Sequence, residues 1–256
     1  MTHPEPGSGP LDDVVAEAER LAGLLAASTV RARFLGGLGV RLHAHSGVPA
    51  ALARPYGDLD LVVERKDARR YRDLLVAAGY EENRRFNSLH GATRLMHVDP
   101  ASGRPVDTFV GEFRMCHALP LDGALDGPYG ALSPADLLLT KLQVVEVNAK
   151  DLTDVLLLLV DHRLDDGQDG ISPTRLAAIA GRDWGWYTTL MDNLAKAQAH
   201  VRTVGDLAPQ LVDHVAGRLV EVIGVLEASP KSLGWRTRAR LGRRIAWYEL
   251  PEESRS

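Results

Sequence analysis

Two aspartates interrupt an otherwise apolar segment, and this pair constrains the fold more than any other feature of the sequence. In RPYGDLDLVVE, Asp58 and Asp60 stand one residue apart in the predicted strand 58–64. Residues at i and i+2 of a strand point to the same face, with Cα atoms about 6.6 Å apart. Two buried carboxylates without a partner are strongly disfavoured. We therefore expect the pair at one end of the strand, where both acids can share a cation.

A third acid stands in a second apolar strand candidate. Asp107 lies in PVDTFV, and a strand placed beside the first would bring it to the same edge of a sheet. Three carboxylates can hold two divalent cations about 3.5 to 4 Å apart, and Mg²⁺ prefers such hard oxygen ligands. The alternative that Asp58 only caps its strand while Asp60 faces solvent stays open.

The segments around these acids alternate between helical and strand-like periodicity up to about residue 110. A helix is predicted over 11–28, then a strand ending at Gly36 and Gly37 and a helix over LGVRLHAH. A further helix has Asp67 as its N-cap and Gly79 as its stop. The strand candidates that follow are YEENRRF, ATRLMHV and PVDTFVG. The alternation of helices and strands predicts an α/β fold.

Two histidines fall within the predicted helix over LGVRLHAH. His43 and His45 are two residues apart, so on a helix their side chains diverge by about 200°. We therefore interpret both as structural residues, since they would suggest a metal pair only if the segment were a strand.

The second half of the sequence is almost entirely helical. One helix is predicted to begin with Ser133 as cap and Pro134 at its first position, and the next begins at Asn148. The Asp/Gly-rich stretch LDDGQDG is typical of a linker. We expect a disordered tail over 1–10, a first domain over 11–165, a helical C-terminal domain over 166–250, and a tail over 251–256.

Together the motifs FLGGLGVRLH, RPYGDLDLVV and VDTFVG resemble the nucleotidyltransferase superfamily, which has a DNA-polymerase-β-like palm. That superfamily carries Gly-Gly or Gly-Ser, then Dx[DE], then a later single Asp. The resemblance covers roughly residues 30–162. The long spacer between Gly37 and Asp58 is typical of the subgroup with AbiEii-type toxins and uncharacterised transferases. In one departure, no arginine follows Lys141 at the spacing common in those toxins.

The resemblance implies an α/β (α+β) fold with a small mixed sheet and flanking helices, followed by a helical C-terminal domain. It also implies a role for each motif residue. The catalytic and metal-binding residues would be Asp58, Asp60 and Asp107, with Mg²⁺ or Mn²⁺ as cofactor. The nucleotide-binding residues would be Gly36, Gly37, Arg54, Lys141, Lys150, Asp151 and Asp154. The expected reaction transfers a nucleoside monophosphate from an NTP to an acceptor hydroxyl and releases pyrophosphate. An RNA or tRNA end, a protein or a small molecule would each fit as acceptor.

Two other function classes stay open. One is a non-catalytic nucleotide-binding or regulatory module of the same fold. The other is a metal-dependent glycosyltransferase that uses DxD to hold a sugar nucleotide. The latter needs a larger Rossmann-like half than the segment before Asp58 offers.

Composition narrows the remaining classes. A net charge of −4 argues against a protein that coats nucleic acid by bulk electrostatics. The basic run 231–244 is predicted to be a solvated helix face, with contact to an RNA backbone as the open alternative. A lone cysteine, Cys116, excludes an internal disulfide framework. Without a signal-peptide pattern or a membrane-length apolar run, the expected compartment is the cytoplasm.

Overall fold

The computed structural model describes residues 9–121, 123–126 and 130–250. The predicted tail over 251–256, and residues 1–8 of the predicted tail over 1–10, lie outside these residues. The chain divides into two compact units. Of the described residues, the first unit comprises 9–42, 55–113, 120–121, 123–126 and 130–132, and the second comprises 43–54, 114–119 and 133–250.

A five-stranded mixed sheet organises the first unit. Its strands are β1 (Ala32–Phe34), β2 (Leu59–Val63), β3 (Glu81–Glu82), β4 (Arg94–Val98) and β5 (Pro105–Val110). The spatial order is β1-β2-β5-β4-β3. Strands β2 and β5 run parallel, whereas the other neighbouring pairs are antiparallel. The predicted small mixed sheet is confirmed.

Four helices accompany this sheet: α1 (Val14–Ala26), α2 (Gly36–Leu42), α3 (Ala68–Ala77) and α4 (Arg84–His90). The core forms where apolar side chains of α1 and α3 meet the sheet, with Leu21 and Tyr71 buried among Leu59, Leu61 and other apolar residues. The alternate apolar residues of β2 form its core face, as the sequence predicts, since Leu59, Leu61 and Val63 are all fully buried.

Two local predictions are wrong. YEENRRF supplies only a two-residue strand, because the Asn83 side chain accepts from the backbone N–H of Phe86 and caps α4. Helix α2 ends at Leu42, so His43 and His45 do not lie on a helix and the predicted divergence of their side chains does not apply.

Asp67 does precede α3, but its side chain does not cap the helix. The buried carboxylate instead accepts from the backbone N–H of Arg31 at 3.0 Å and pairs with the Arg70 guanidinium. Desolvation raises the pKa of Asp67, but these partners outweigh it and the pKa is lowered. Gly79 ends the helix region with φ of +97°, as predicted.

Helices build the second unit: α5 (Pro134–Leu142), α6 (Ala149–Asp161), α7 (Pro173–Arg182), α8 (Trp184–Val201), α9 (Pro209–Ala228) and α10 (Leu233–Leu241). The predicted caps Ser133 and Asn148 accept from the backbone N–H groups of Asp136 and Asp151. Helix α6 is buried on every side over 155–159 and packs against α5, α8 and α9, as expected for a central helix.

Between β5 and α5, the short strands β6 (Glu112–Arg114) and β7 (Ala118–Pro120) form a two-stranded sheet that the sequence did not suggest. The predicted domain boundary between residues 165 and 166 falls inside the second unit, after α6. As a statement about separately folding domains it stays a prediction. Among the described residues, each helix is too short or too polar to cross a bilayer.

Candidate functional site

The parallel pairing of β2 with β5 brings two of the predicted catalytic acids side by side. Asp60 and Asp107 are directly paired in the strand register, so their Cα atoms lie about 4.8 Å apart and their side chains share one face. Asp58 precedes β2 and is exposed, whereas Asp60 and Asp107 are half-buried. The prediction that the strand of the third acid lies beside the first is confirmed.

Gly36 lies against the carboxylate of Asp60. The backbone N–H of Leu35 donates to the carbonyl of Asp60 at 2.9 Å, which joins the start of α2 to β2. Gly36 has φ of +64°, and a Cβ atom there would stand 2.2 Å from Oδ2 of Asp60. The glycine at this turn therefore satisfies a positive φ and leaves room for the acid.

Arg94 on β4 binds Asp107, a contact that the motif analysis missed. Its Nε donates to Oδ1 and Oδ2 of Asp107 at 2.8 and 3.1 Å, and a terminal guanidinium nitrogen also donates to Oδ2. The ion pair is partly buried, with side-chain exposures of 27% for Arg94 and 13% for Asp107. The antiparallel β4–β5 register makes this contact possible, and only the pairing of the strands reveals it.

The opposite face of β5 is fixed in the core. Thr108 is fully buried, and its hydroxyl lies 2.8 Å from the hydroxyl of Tyr71 on α3. Burial raises the pKa of Tyr71, so this phenol stays protonated at neutral pH. Asp107 consequently projects from a rigid strand rather than from a mobile loop.

The donor set at this edge suits a hard divalent cation, because all three candidate ligands are carboxylates. Asp60 and Asp107 stand on neighbouring strands, and the exposed Asp58 precedes β2. Arg94 already neutralises Asp107, so a cation would compete with the guanidinium for that carboxylate. Among the described residues, the tightest grouping of potential metal ligands is formed by histidines rather than by these acids.

The second unit brings together three of the predicted nucleotide-binding residues. Asp154 on α6 accepts from the Arg54 guanidinium through both carboxylate oxygens, at 2.8 and 2.7 Å. The Lys141 ammonium on α5 lies 2.8 Å from Oδ2 of the same carboxylate. Only 1% of the Asp154 side chain is exposed, so this is a buried ion-pair network.

Asp151 completes the network, and Lys150 does not join it. The Lys141 ammonium donates to Oδ1 of Asp151 at 2.7 Å, whereas Lys150 is exposed on the first turn of α6. Burial lowers the pKa of Lys141, but the attraction of Asp154 and Asp151 outweighs it and the pKa is raised. Lys141 is thus a fixed cation. The assignment to nucleotide binding stays a prediction for Lys141 and likewise for Arg54, Lys150, Asp151 and Asp154.

Comparison with known proteins agrees with the motifs of the first unit. Residues 13–112 match the model of a family described as an uncharacterised nucleotidyltransferase. The match contains α1 to α4 and β1 to β5, and therefore includes Gly36, Gly37 and all three acids. No curated protein and no solved structure matches the chain.

Proposed function

We propose that the chain transfers a nucleoside monophosphate from an NTP to an acceptor hydroxyl with the help of divalent cations, because residues 13–112 match the model of a family described as an uncharacterised nucleotidyltransferase. The observation that carries this proposal is the register pairing of Asp60 with Asp107, with Gly36 leaving room for Asp60. Asp58, Asp60 and Asp107 would hold Mg²⁺ or Mn²⁺. When bound, such an ion offsets the charge that develops on the phosphate oxygens.

The residues of the chain would position the triphosphate and accept the proton of the acceptor hydroxyl. The acceptor hydroxyl loses its proton to a carboxylate at the Asp107 position. Its oxygen forms a bond to the α-phosphorus, the bond from that phosphorus to the bridging oxygen breaks, and pyrophosphate leaves with the electron pair. Gly36 and Gly37 begin α2 beside this edge, and the backbone N–H groups of this turn would donate to the triphosphate.

One observation favours a second candidate function. The Arg94–Asp107 ion pair occupies the carboxylate that the catalytic proposal assigns to a metal ion and to proton transfer. A non-catalytic nucleotide-binding module would keep the pair intact and would bind an NTP without transferring it.

Incubation with radiolabelled NTPs and Mg²⁺ tests both candidates, with total RNA and the protein itself as acceptors. We expect label to be transferred by the wild type and to be lost in Asp60→Ala. The free energy of unfolding of this variant should stay unchanged or rise without metal, because carboxylate repulsion is relieved. Asp73→Ala, which removes an exposed acid on α3, is the matched control and should keep transfer.

The outcomes separate the candidates. NTP binding by the wild type in calorimetry without any transfer would favour the binding module. The absence of both binding and transfer would rule out both candidates, and retained transfer in Asp60→Ala would contradict the role assigned to that residue.

A further inference from the structure

Three histidines converge in the second unit. His43, His45 and His162 each offer a ring nitrogen, and these nitrogens all lie within 4.8 Å of one another. Their ring centroids are 5.4 to 5.9 Å apart in edge-to-face arrangements. His43 and His162 are buried, whereas His45 is exposed. One solvent-accessible ligand beside two buried ones gives an ion a path into the cluster.

The turn that carries His43 and His45 is fixed by the backbone. The N–H of His45 donates to the carbonyl of His43 at 3.0 Å, and the N–H of Gly47 donates to the carbonyl of Ala44 at 3.2 Å. Gly47 has φ of +88°, a conformation that favours glycine.

This turn is also attached to the helix that precedes His162. The Ser46 backbone N–H donates to Oδ2 of Asp161 at 3.1 Å, and the Ser46 hydroxyl donates to the other carboxylate oxygen. Asp161 is the last residue of α6, and His162 follows it directly. The three imidazoles are therefore held together before any ligand arrives, which lowers the cost of ordering them on binding.

The hydrogen bonding of His162 gives a separate indication. Its Nδ1 lies 2.6 Å from the carbonyl oxygen of Asp169, and its Nε2 lies 3.1 Å from the carbonyl oxygen of His43. Carbonyl oxygens only accept, and a neutral imidazole carries one N–H, so only one of these contacts can be a hydrogen bond in the neutral ring. With the proton at Nδ1, Nε2 keeps its lone pair and can serve as a metal ligand.

A proton on Nδ1 also matches how metal-binding histidines are oriented. Such residues donate their second ring N–H to a carbonyl or carboxylate, which fixes the tautomer and the direction of the lone pair. The contact between His162 and Asp169 supplies that interaction.

From this geometry we propose that His43, His45 and His162 bind a Zn²⁺ ion, with water as the fourth ligand. Imidazole nitrogen suits Zn²⁺, whereas Mg²⁺ and Ca²⁺ select oxygen ligands. With Zn–N bonds of about 2.0 to 2.1 Å, tetrahedral ligand atoms stand about 3.4 Å apart. The nitrogens, which lie within 4.8 Å of one another, must therefore approach by at most about 1.4 Å.

The test uses the full chain stripped of metal, without nucleotide, so its result does not depend on the proposed transfer activity. Calorimetric titration with Zn²⁺ should show one ion per chain, bound in the presence of excess Mg²⁺. His45→Ala should weaken Zn²⁺ binding about 100-fold or more, because it removes one of three protein ligands. His90→Ala removes an exposed histidine outside the cluster and should bind Zn²⁺ like the wild type.

Co²⁺ substitution adds a readout of coordination geometry. The wild type should give the intense visible absorption of tetrahedral Co²⁺, and His45→Ala should lose it while its circular dichroism spectrum stays unchanged. The proposal is overturned if the wild type shows no saturable Zn²⁺ binding, if His45→Ala and His162→Asn bind Zn²⁺ as tightly as the wild type, or if bound Co²⁺ has the weak spectrum of octahedral coordination.

Discussion

Gly36 and Asp60 are in direct contact, because a Cβ atom added to Gly36 would lie 2.2 Å from Oδ2 of Asp60. The backbone of Gly36 also has φ of +64°, which side chains rarely adopt. The position of the acid and the identity of the glycine therefore depend on each other.

Gly36→Ala should destabilise the first unit and displace Asp60. We expect a loss of about 2 to 4 kcal/mol in the free energy of unfolding, from backbone strain and from the clash with the carboxylate. Urea denaturation measures this loss. Gly23→Ala is the matched control, because Gly23 lies inside α1 with open space around it and should gain up to about 1 kcal/mol from helix propensity. Equal stability of the two variants would contradict the prediction.

The Gly36–Asp60 contact shows how far the sequence could predict the site. The order Gly-Gly, DxD and later Asp predicts the fold through its resemblance to a known superfamily. Period-2 alternation indicates which residues of each strand share a face. The contact itself depends on the angle at which α2 leaves β1, which no local pattern encodes.

Arg94 and His162 were missed for a related reason. Arg94 reaches Asp107 only through the antiparallel register of β4 with β5. His162 meets His43 across 119 residues of sequence. In addition, the helix predicted over LGVRLHAH ends at Leu42, and a boundary error of a few residues reversed the interpretation of two histidines.

The Arg94–Asp107 pair should show measurable energetic coupling. Either Arg94→Ala or Asp107→Ala alone leaves a partly buried charge without its partner, whereas the double variant removes both. We expect a coupling free energy of about 1 to 3 kcal/mol for this bidentate, charge-assisted pair. A double-mutant cycle by urea denaturation measures it. Additivity of the two single effects to within about 0.5 kcal/mol would show that the pair contributes little.

Asp154 should be the most sensitive member of its ion-pair network. Asp154→Asn leaves the cations of Arg54 and Lys141 without their shared buried partner, so we expect a loss of about 3 to 5 kcal/mol in the free energy of unfolding.

Asp151→Asn is the matched control for this change. The Asp151 side chain is 18% exposed, and Lys141 keeps Asp154 when it is removed. The expected loss of free energy of unfolding is about 1 to 2 kcal/mol, smaller than for Asp154→Asn because Lys141 keeps one buried carboxylate partner. If both variants lost the same free energy in urea denaturation, the central position of Asp154 in the network would be wrong.

His97 should make the stability of the protein fall in mild acid. This residue of β4 is fully buried, and neither ring nitrogen has a hydrogen-bond partner among the described residues. Burial lowers its pKa to about 4, from 6.5. Above pH 6.5 the ring is neutral in both the folded and the unfolded protein. As the pH falls below that value, only the unfolded chain takes up the proton, so stability decreases until the folded-state pKa of about 4 is reached.

For this one histidine, the loss of free energy of unfolding approaches about 1.4 kcal/mol per pH unit. Burial also lowers the pKa of His117 in the second unit to about 4, so His117 adds to the acid sensitivity of the protein. His97→Leu removes one buried ring whose nitrogens have no hydrogen-bond partner among the described residues. Urea denaturation at about pH 7 and about pH 5 measures how much free energy of unfolding each protein loses in acid. This loss should be smaller for His97→Leu than for the wild type, by about 2 kcal/mol at most. An identical pH dependence in the two proteins would mean that His97 does not remain neutral in the folded chain.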